Sequence, residues 1–421
     1  MKSFRPHYRS AQVFADFLQS SSTTKASHIA EPLNYTVRVP WSSKTLHNSR
    51  RLQLNPPTTI RGFHQAASRQ ALPNPETIAS HLRAPWLLEH SSGVPKDDQN
   101  MQASAPEIAT TAASTEGQPT VHEVFEPNTG TWQYVVADPA TLKAVIIDPV
   151  LDFDLATQVI STTTADALLS LVKEKGYHVC MILETHAHAD HLTAASYLRH
   201  RLGTGSDGHK PLVVAGQRIR EMQEAIGEKY GVPGEEYINV FDKLFGDDET
   251  FQIGQLTAMA IHLPGHTPDH LGYKIGVSDL YIMRKYNVFC GDSLFNADLG
   301  TARCDFPGGS AQDLFKSGRK LLSMPDHFKI WTGHDYPSAE RGSPVPYMTV
   351  RDHRAQNKHL RDGVSEDEFV ALREERDAKL PAPRLLHQSL QVNIRTGQLP
   401  KPNEDGSRML HVPLKVIGEK W

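Results

Sequence analysis

Four side chains able to ligate a metal fall within six residues in the stretch Thr185-His186-Ala187-His188-Ala189-Asp190-His191. In an extended loop, side chains two apart point the same way, so His186 and His188 can grip one ion. Once the chain turns, Asp190 and His191 can face a second. Three more residues of ligand type follow: His266 in Pro264-Gly265-His266-Thr267-Pro268, Asp292 after Gly291, and His334 in Gly333-His334-Asp335-Tyr336. A carboxylate such as Asp292 can bridge two metals. Any one of these histidines alone reads as a hydrogen-bonded structural residue; the cluster with three later ligands reads as a metal site. Used together, the seven would hold two zinc ions and activate water for hydrolysis. Two histidines and one carboxylate on one face of an iron would instead leave positions open for oxygen chemistry.

Ligands spread over about 150 residues meet only if a rigid frame collects them. The pattern supplies such a frame. Val179–Leu183 is an apolar strand of the buried kind and runs straight into the histidine cluster. Two short strands around Gly254, within Phe251–Ile261, lead to Pro264-Gly265-His266. Val288–Cys290 ends in Gly291-Asp292, and Phe328–Thr332 ends in Gly333-His334. Strand ends in α/β folds gather loops at one sheet edge. Ahead of these, Val121–Glu126, Thr131–Ala137 and Ala144–Asp148 read as an antiparallel opening, followed by a helix capped at Thr164 and stopped at Gly176. Leu192–Leu202 and Ile219–Tyr230 read as helices, Leu212–Ala215 as a strand, and Ser365–Lys379 as a charged helix before an extended, Pro-punctuated tail.

The first part of the chain is different material. Residues 1–75 carry ten basic side chains against only Asp16 and Glu31, and are rich in Ser and Thr. Arg-rich, acid-poor composition is that of a mitochondrial transit peptide, so a disordered targeting extension is expected there, with the matrix as destination and the cytoplasm as the other option. Residues 76–119 read as a linker, and 121–421 as the catalytic domain with its tail. The net charge of −4 excludes a global basic field for nucleic acid. No run approaches 18 uninterrupted apolar residues, which argues against a membrane span. Three cysteines, Cys180, Cys290 and Cys304, cannot form a disulfide framework. Cys290 and Cys304 flank the ligand stretches and read as small buried side chains, with a sulfur relay as the sharper reading.

The motifs resemble the metallo-β-lactamase superfamily over roughly residues 121–400, which implies an α/β fold of αββα sandwich type. Gly333-His334-Asp335-Tyr336 resembles the branch holding glyoxalase II and the glutathione persulfide dioxygenases. The histidine string, with Arg303, Asp305 and Phe306, leans towards the dioxygenases. That resemblance implies one Fe(II) per chain on His186, His266 and Asp292, with Asp190, His191 and His334 present but without an occupied second site. It implies glutathione persulfide and O₂ as reactants, with sulfite and glutathione as products. It also gives Arg303 a substrate carboxylate to hold in bidentate fashion and Tyr336 a ligand contact. Asp269 and His270 depart from the glyoxalase II string Gly-His-Thr-Pro-Gly, and the string Gly-His-Thr-Pro-x-His also occurs in lactonase-like members. A dizinc thioester or lactone hydrolase therefore stays open, with His270 as a structural residue and Asp335 as a group that could orient an imidazole. A homodimer is left open.

Overall fold

The computed structural model describes residues 106–111, 118–205, 208–276 and 286–418; the basic stretch 1–75 and its targeting expectation lie outside them. Alternation of apolar residues makes the first strands two-faced. β1 (Glu107–Thr111), β2 (Thr120–Glu126), β3 (Thr131–Ala137) and β4 (Lys143–Ile147) pair antiparallel in turn. A small sheet of β5 (Val150–Asp154), β6 (Val159–Ser161) and, further along, β8 (Leu192–Thr193) sits beside them. Between these come α1 (Thr163–Lys175) and β7 (His178–Leu183). Then follow α2 (Ala195–Leu202), β9 (Leu212–Gly216), α3 (Ile219–Tyr230) and β10 (Lys243–Phe245). The large sheet runs β1-β2-β3-β4-β7-β9-β10, and its second half, β4 to β10, is parallel.

The second sheet comprises β11 (Thr250–Ile253), β12 (Leu256–His262), β13 (Leu271–Gly276), β14 (Asn287–Phe289), β15 (Lys329–Trp331) and β16 (Tyr347–Thr349), ordered as numbered. Its helices are α4 (Ala311–Leu322), α5 (Val350–Gln356), α6 (Glu366–Asp377) and α7 (Leu386–Asn393). Val121, Tyr134, Val136, Val145 and Leu183 face Leu256, Tyr273, Phe289 and Trp331 of the second sheet in one core. Val124, Val135, Ile146 and Ile182 point the other way, onto Leu168 and Val172 of α1 and Leu198 of α2. Ile261, Val288 and Ile330 pack outward on Leu314, Leu321, Val350 and Phe369. The architecture is thus an αββα sandwich, as the resemblance implies, with strands buried on both faces, as the apolar run Val179–Leu183 leads one to expect for β7.

Four differences from the sequence reading have physical causes. Thr162, not Thr164, sits at the N-cap of α1, because the Thr164 hydroxyl is taken by Asp152 Oδ1 at 2.6 Å. Leu192–Thr193 is a strand rather than the first turn of a helix, since it pairs with β5. Glu107–Thr111, within the stretch read as linker, adds an edge strand to β2. The segment read as an extended tail contains α7, whose Val392 joins the core beneath α1 and α2.

Candidate metal centre

The loop after β7 has no regular hydrogen-bonded partner, so side chains from elsewhere must hold its backbone. Thr185 N–H and Oγ1–H both donate to the Asp148 carboxylate, at 2.7 and 2.8 Å. Ala187 N–H donates to Asp269 Oδ2 at 2.9 Å. The Asn393 amide donates to the carbonyls of His188 and His191, each at 2.8 Å. Two glycines let the other ligand loops approach. Gly291 has φ +47°, and a Cβ there would lie 2.7 Å from Thr185 Oγ1; a Cβ on Gly333 would lie 2.4 Å from Asp292 Oδ1. His270 Nε2 accepts the Asp292 N–H at 2.9 Å, and its ring stacks on His186 with centroids 4.8 Å apart.

All seven ligand-type residues named from the sequence converge at this one sheet edge. His186, His266 and Asp292 offer ligand atoms within 4.8 Å of one another, and so, separately, do His188, Asp190 and His191. His266 Nε2 lies 3.7 Å from Asp292 Oδ2, while His334 Nε2 lies 3.6 Å from Asp292 Oδ1 and 3.2 Å from Asp190 Oδ2. Asp292 stands between the two groups. His186 Nε2, His188 Nδ1, His191 Nε2 and Asp292 Oδ1 are buried without a hydrogen-bond partner among the described residues. Four buried polar atoms without partners at one sheet edge cost several kcal/mol unless something charged satisfies them. Nitrogen and carboxylate donors in this number fit a divalent metal.

The two groups differ electrostatically. Burial and the neighbouring His188, His270 and His266 hold the His186 imidazole well below its usual range, so it stands neutral, as a ligand must. Burial would also depress His334, but Asp292 and Asp190 outweigh it and raise the imidazole. Burial would raise Asp190, yet His334 and His191 hold it far below the usual carboxylate range. The second group thus partly satisfies itself by ion pairing. His188 Nε2 rests 3.1 Å from Asp148 and 3.4 Å from Glu184, which leaves Nδ1 towards the site. Those carboxylates override burial and hold His188 well above its usual range.

A cavity of about 380 Å³ opens over Asp190, His266, Asp292 and His334. Phe295, Leu299 and Phe306 form apolar wall, and Arg373, Arg376 and Arg384 line it from the C-terminal segment. Tyr336 lines it too; its hydroxyl is 3.2 Å from His334 Nδ1, and the residue is 51% exposed. Arg303 borders the cavity, but its fork is not free for a ligand. Nε and Nη2 donate to both oxygens of Asp305, at 2.6 and 2.7 Å. Asp335 does not orient an imidazole; it is fully buried in a bidentate pair with Arg341. Cys290 and Cys304 are buried and stand outside the cavity lining. Asp148, Glu184 and Asn393 were not singled out from the sequence. Asp148 and Glu184 end apolar strands and so carried a readable signal; Asn393 carried none.

The family model described as the metallo-beta-lactamase superfamily matches residues 128–334. The chain is 40% identical to Glyoxylase B2 of Dictyostelium discoideum, over 70% of this chain and 97% of that protein. It is 27% identical to the mitochondrial persulfide dioxygenase ETHE1 of Bos taurus, over 66% of this chain and 88% of that one. The solved structure of ETHE1 from Myxococcus xanthus superposes with a TM-score of 0.51 at 26% identity, covering 66% of this chain and 99% of that chain.

Proposed function

Because this chain belongs to the metallo-β-lactamase superfamily, we propose that it oxidises glutathione persulfide with one iron(II) held by His186, His266 and Asp292. The observation that carries this is the asymmetry of the donors. Both trios cluster within 4.8 Å and both hold unpartnered ring nitrogens, but in the first Asp292 Oδ1 is unpartnered as well, whereas in the second the carboxylate of Asp190 is already drawn into ion pairs with His334 and His191. Iron bound there would supply the redox chemistry coupling O₂ to the outer persulfide sulfur. The overall reaction is persulfide + O₂ + H₂O → thiol + sulfite + 2 H⁺. The chain's own residues do the rest. Thr185 and the Arg303 carbonyl fix the rings of His186 and His266 through their Nδ1 atoms, at 2.9 and 2.7 Å. Phe295, Leu299 and Phe306 keep water from the reacting end of the cavity, and Tyr336 offers a hydroxyl at its mouth. The likeness to the bovine persulfide dioxygenase supports the reading. Its name, together with the basic, acid-poor residues 1–75, supports a mitochondrial address for this chain.

A second reading is a dizinc thioester hydrolase, favoured by the assembly of all seven donors at one edge and by the 40% identity to Glyoxylase B2. Elemental analysis and an oxygen electrode separate the two. The expected result is about one iron per chain, with O₂ uptake and sulfite formed in equal amounts from glutathione persulfide. His186→Ala, His266→Ala and Asp292→Ala should lose the metal, and His334→Ala should keep most of it. Two zinc ions per chain with rapid anaerobic hydrolysis of S-lactoylglutathione, and no O₂ uptake, would give the assignment to the hydrolase.

A further inference from the structure

We propose that Arg303 is a positioning residue for His266, acting through its own carbonyl oxygen and its pair with Asp305 rather than by holding a substrate carboxylate. The inference rests on the metal-site reading above, in which His266 is a ligand. His266 Nδ1–H donates to Arg303 O at 2.7 Å, which turns Nε2 towards Asp292. A carbonyl orients a ring only as well as its own residue is fixed, and this one is fixed on every side. The guanidinium holds both oxygens of Asp305, and Nη1 donates to Pro381 O at 2.7 Å, on the segment between α6 and α7. It also lies 5.5 Å over the Phe306 ring, whose edge meets the His266 ring at 4.9 Å and 76°. The next residue is tied as well: Cys304 N–H donates to Asp377 Oδ2 at 2.9 Å.

Arg303, Asp305, Phe306 and His266 therefore close a ring of contacts around one imidazole. The pair is mostly buried, with the Arg303 and Asp305 side chains 15% and 19% exposed, and its bidentate geometry is of the strong, specific kind. A substrate carboxylate could enter that fork only by expelling Asp305. The arrangement also couples the C-terminal helices to the metal edge, because Pro381 and Asp377 belong to the segment that anchors the loop.

Cobalt(II) titration of the full-length, metal-stripped chain, followed by its visible spectrum, tests this, with thermal midpoint and KM measured in parallel. Groups that orient a ligand typically change metal affinity by about 10- to 100-fold. Arg303→Ala and Asp305→Asn should each weaken cobalt binding within that range and alter the cobalt spectrum. The double variant should be no worse than the weaker single, since both break one device. Arg303→Lys should restore part of the affinity, because a point charge can keep one of the two bonds. If Arg303→Ala does not fold, Asp305→Asn alone decides. Unchanged cobalt affinity and spectrum in Asp305→Asn overturns the proposal, whether KM rises, as a clamp requires, or only the thermal midpoint falls. A wild-type chain that binds no cobalt, or a His266→Ala chain that binds it as wild type, overturns the metal-site reading instead.

Discussion

Asn393, the last residue of the last helix, donates its side-chain amide to the carbonyl of His191, 202 residues earlier, at 2.8 Å. The same nitrogen reaches His188 O at 2.8 Å, and its Oδ1 accepts Thr193 N–H at 2.8 Å. One carboxamide thus satisfies three backbone groups of the ligand loop. Asn393→Ala leaves all three buried without partners, at about 1 to 3 kcal/mol for each that water cannot reach. The expected result is a loss of about 3 kcal/mol in urea unfolding of the metal-free chain, with weaker metal binding. A change below about 0.5 kcal/mol would show that water replaces the amide without cost.

Much of this arrangement is legible in the sequence. Ile219–Tyr230 falls where its apolar spacing puts it, and the four strand ends do deliver their ligands to one edge. What escaped is instructive. α4, with a Ser310 cap that accepts from Asp313 N–H and with Leu314 and Leu321 buried, is absent from the sequence reading, and it carries Gly318 in its middle. Its lack of a side chain serves packing, since a Cβ there would lie 2.3 Å from Leu360 Cδ1. Asn393 shows nothing locally, because its role exists only across 200 residues. Arg303 shows the opposite failure. Its type and place suggested a clamp, yet Asp305, two residues on, occupies the fork, and only geometry reveals an internal pair.

The cysteines should be inert. Cys290 is fully buried, with Sγ 3.4 Å from Leu294 O, and Cys304 packs against Asp377, Sγ to Oδ2 at 3.4 Å. Burial pushes both thiols up to about 12. At pH 8 the thiolate fraction is then on the order of 10⁻⁴, too small for fast attack. A thiol reagent should find at most one of the three cysteines in the native chain, the partly exposed Cys180, and all three after denaturation. Cys290→Ser and Cys304→Ser should change turnover by less than about tenfold, or 1.4 kcal/mol in barrier. A loss of several orders of magnitude with metal retained would make one of them a covalent relay.

Stability should fall with acid in a window set by His353. The residue is 2% exposed on α5, and burial pushes its imidazole from 6.5 down to about 4. Below pH 6.5 the unfolded chain takes up a proton that the folded chain refuses until about pH 4. The native state is therefore favoured above pH 6.5 and loses about 1.4 kcal/mol per pH unit between those limits. That amounts to about 3 kcal/mol from this group alone. Urea midpoints of the wild type should fall across pH 6.5 to 4 more steeply than those of His353→Gln. Parallel curves for the two chains would show that the ring titrates normally in the fold.

If the proposed function holds, then with Arg303 committed to Asp305 the anionic end of glutathione persulfide is met by other groups of the cavity. Arg373 is also committed, through Asp377 and the Thr301 carbonyl. Arg376 and Arg384 line the same cavity, are exposed, and form no ion pair among the described residues. They stand on the C-terminal segment and border the same cavity as the carboxylates Asp190 and Asp292. On the proposed persulfide reading, these two guanidiniums are the cavity's charges left to draw an anionic tail. Because both guanidiniums are solvated, each should contribute only about 1 kcal/mol, or roughly a fivefold rise in KM for glutathione persulfide in Arg376→Ala or Arg384→Ala. Turnover at saturation should hold, since charges remote from the sulfur bind ground and transition states alike. Raising ionic strength should raise KM for the wild type and do so less for the double variant, as screening removes what the substitutions have already removed. Metal content should be unchanged in both, unlike Arg303→Ala. Equal KM in wild type and double variant across the salt series would place the anion-binding end of the cavity somewhere other than these two arginines.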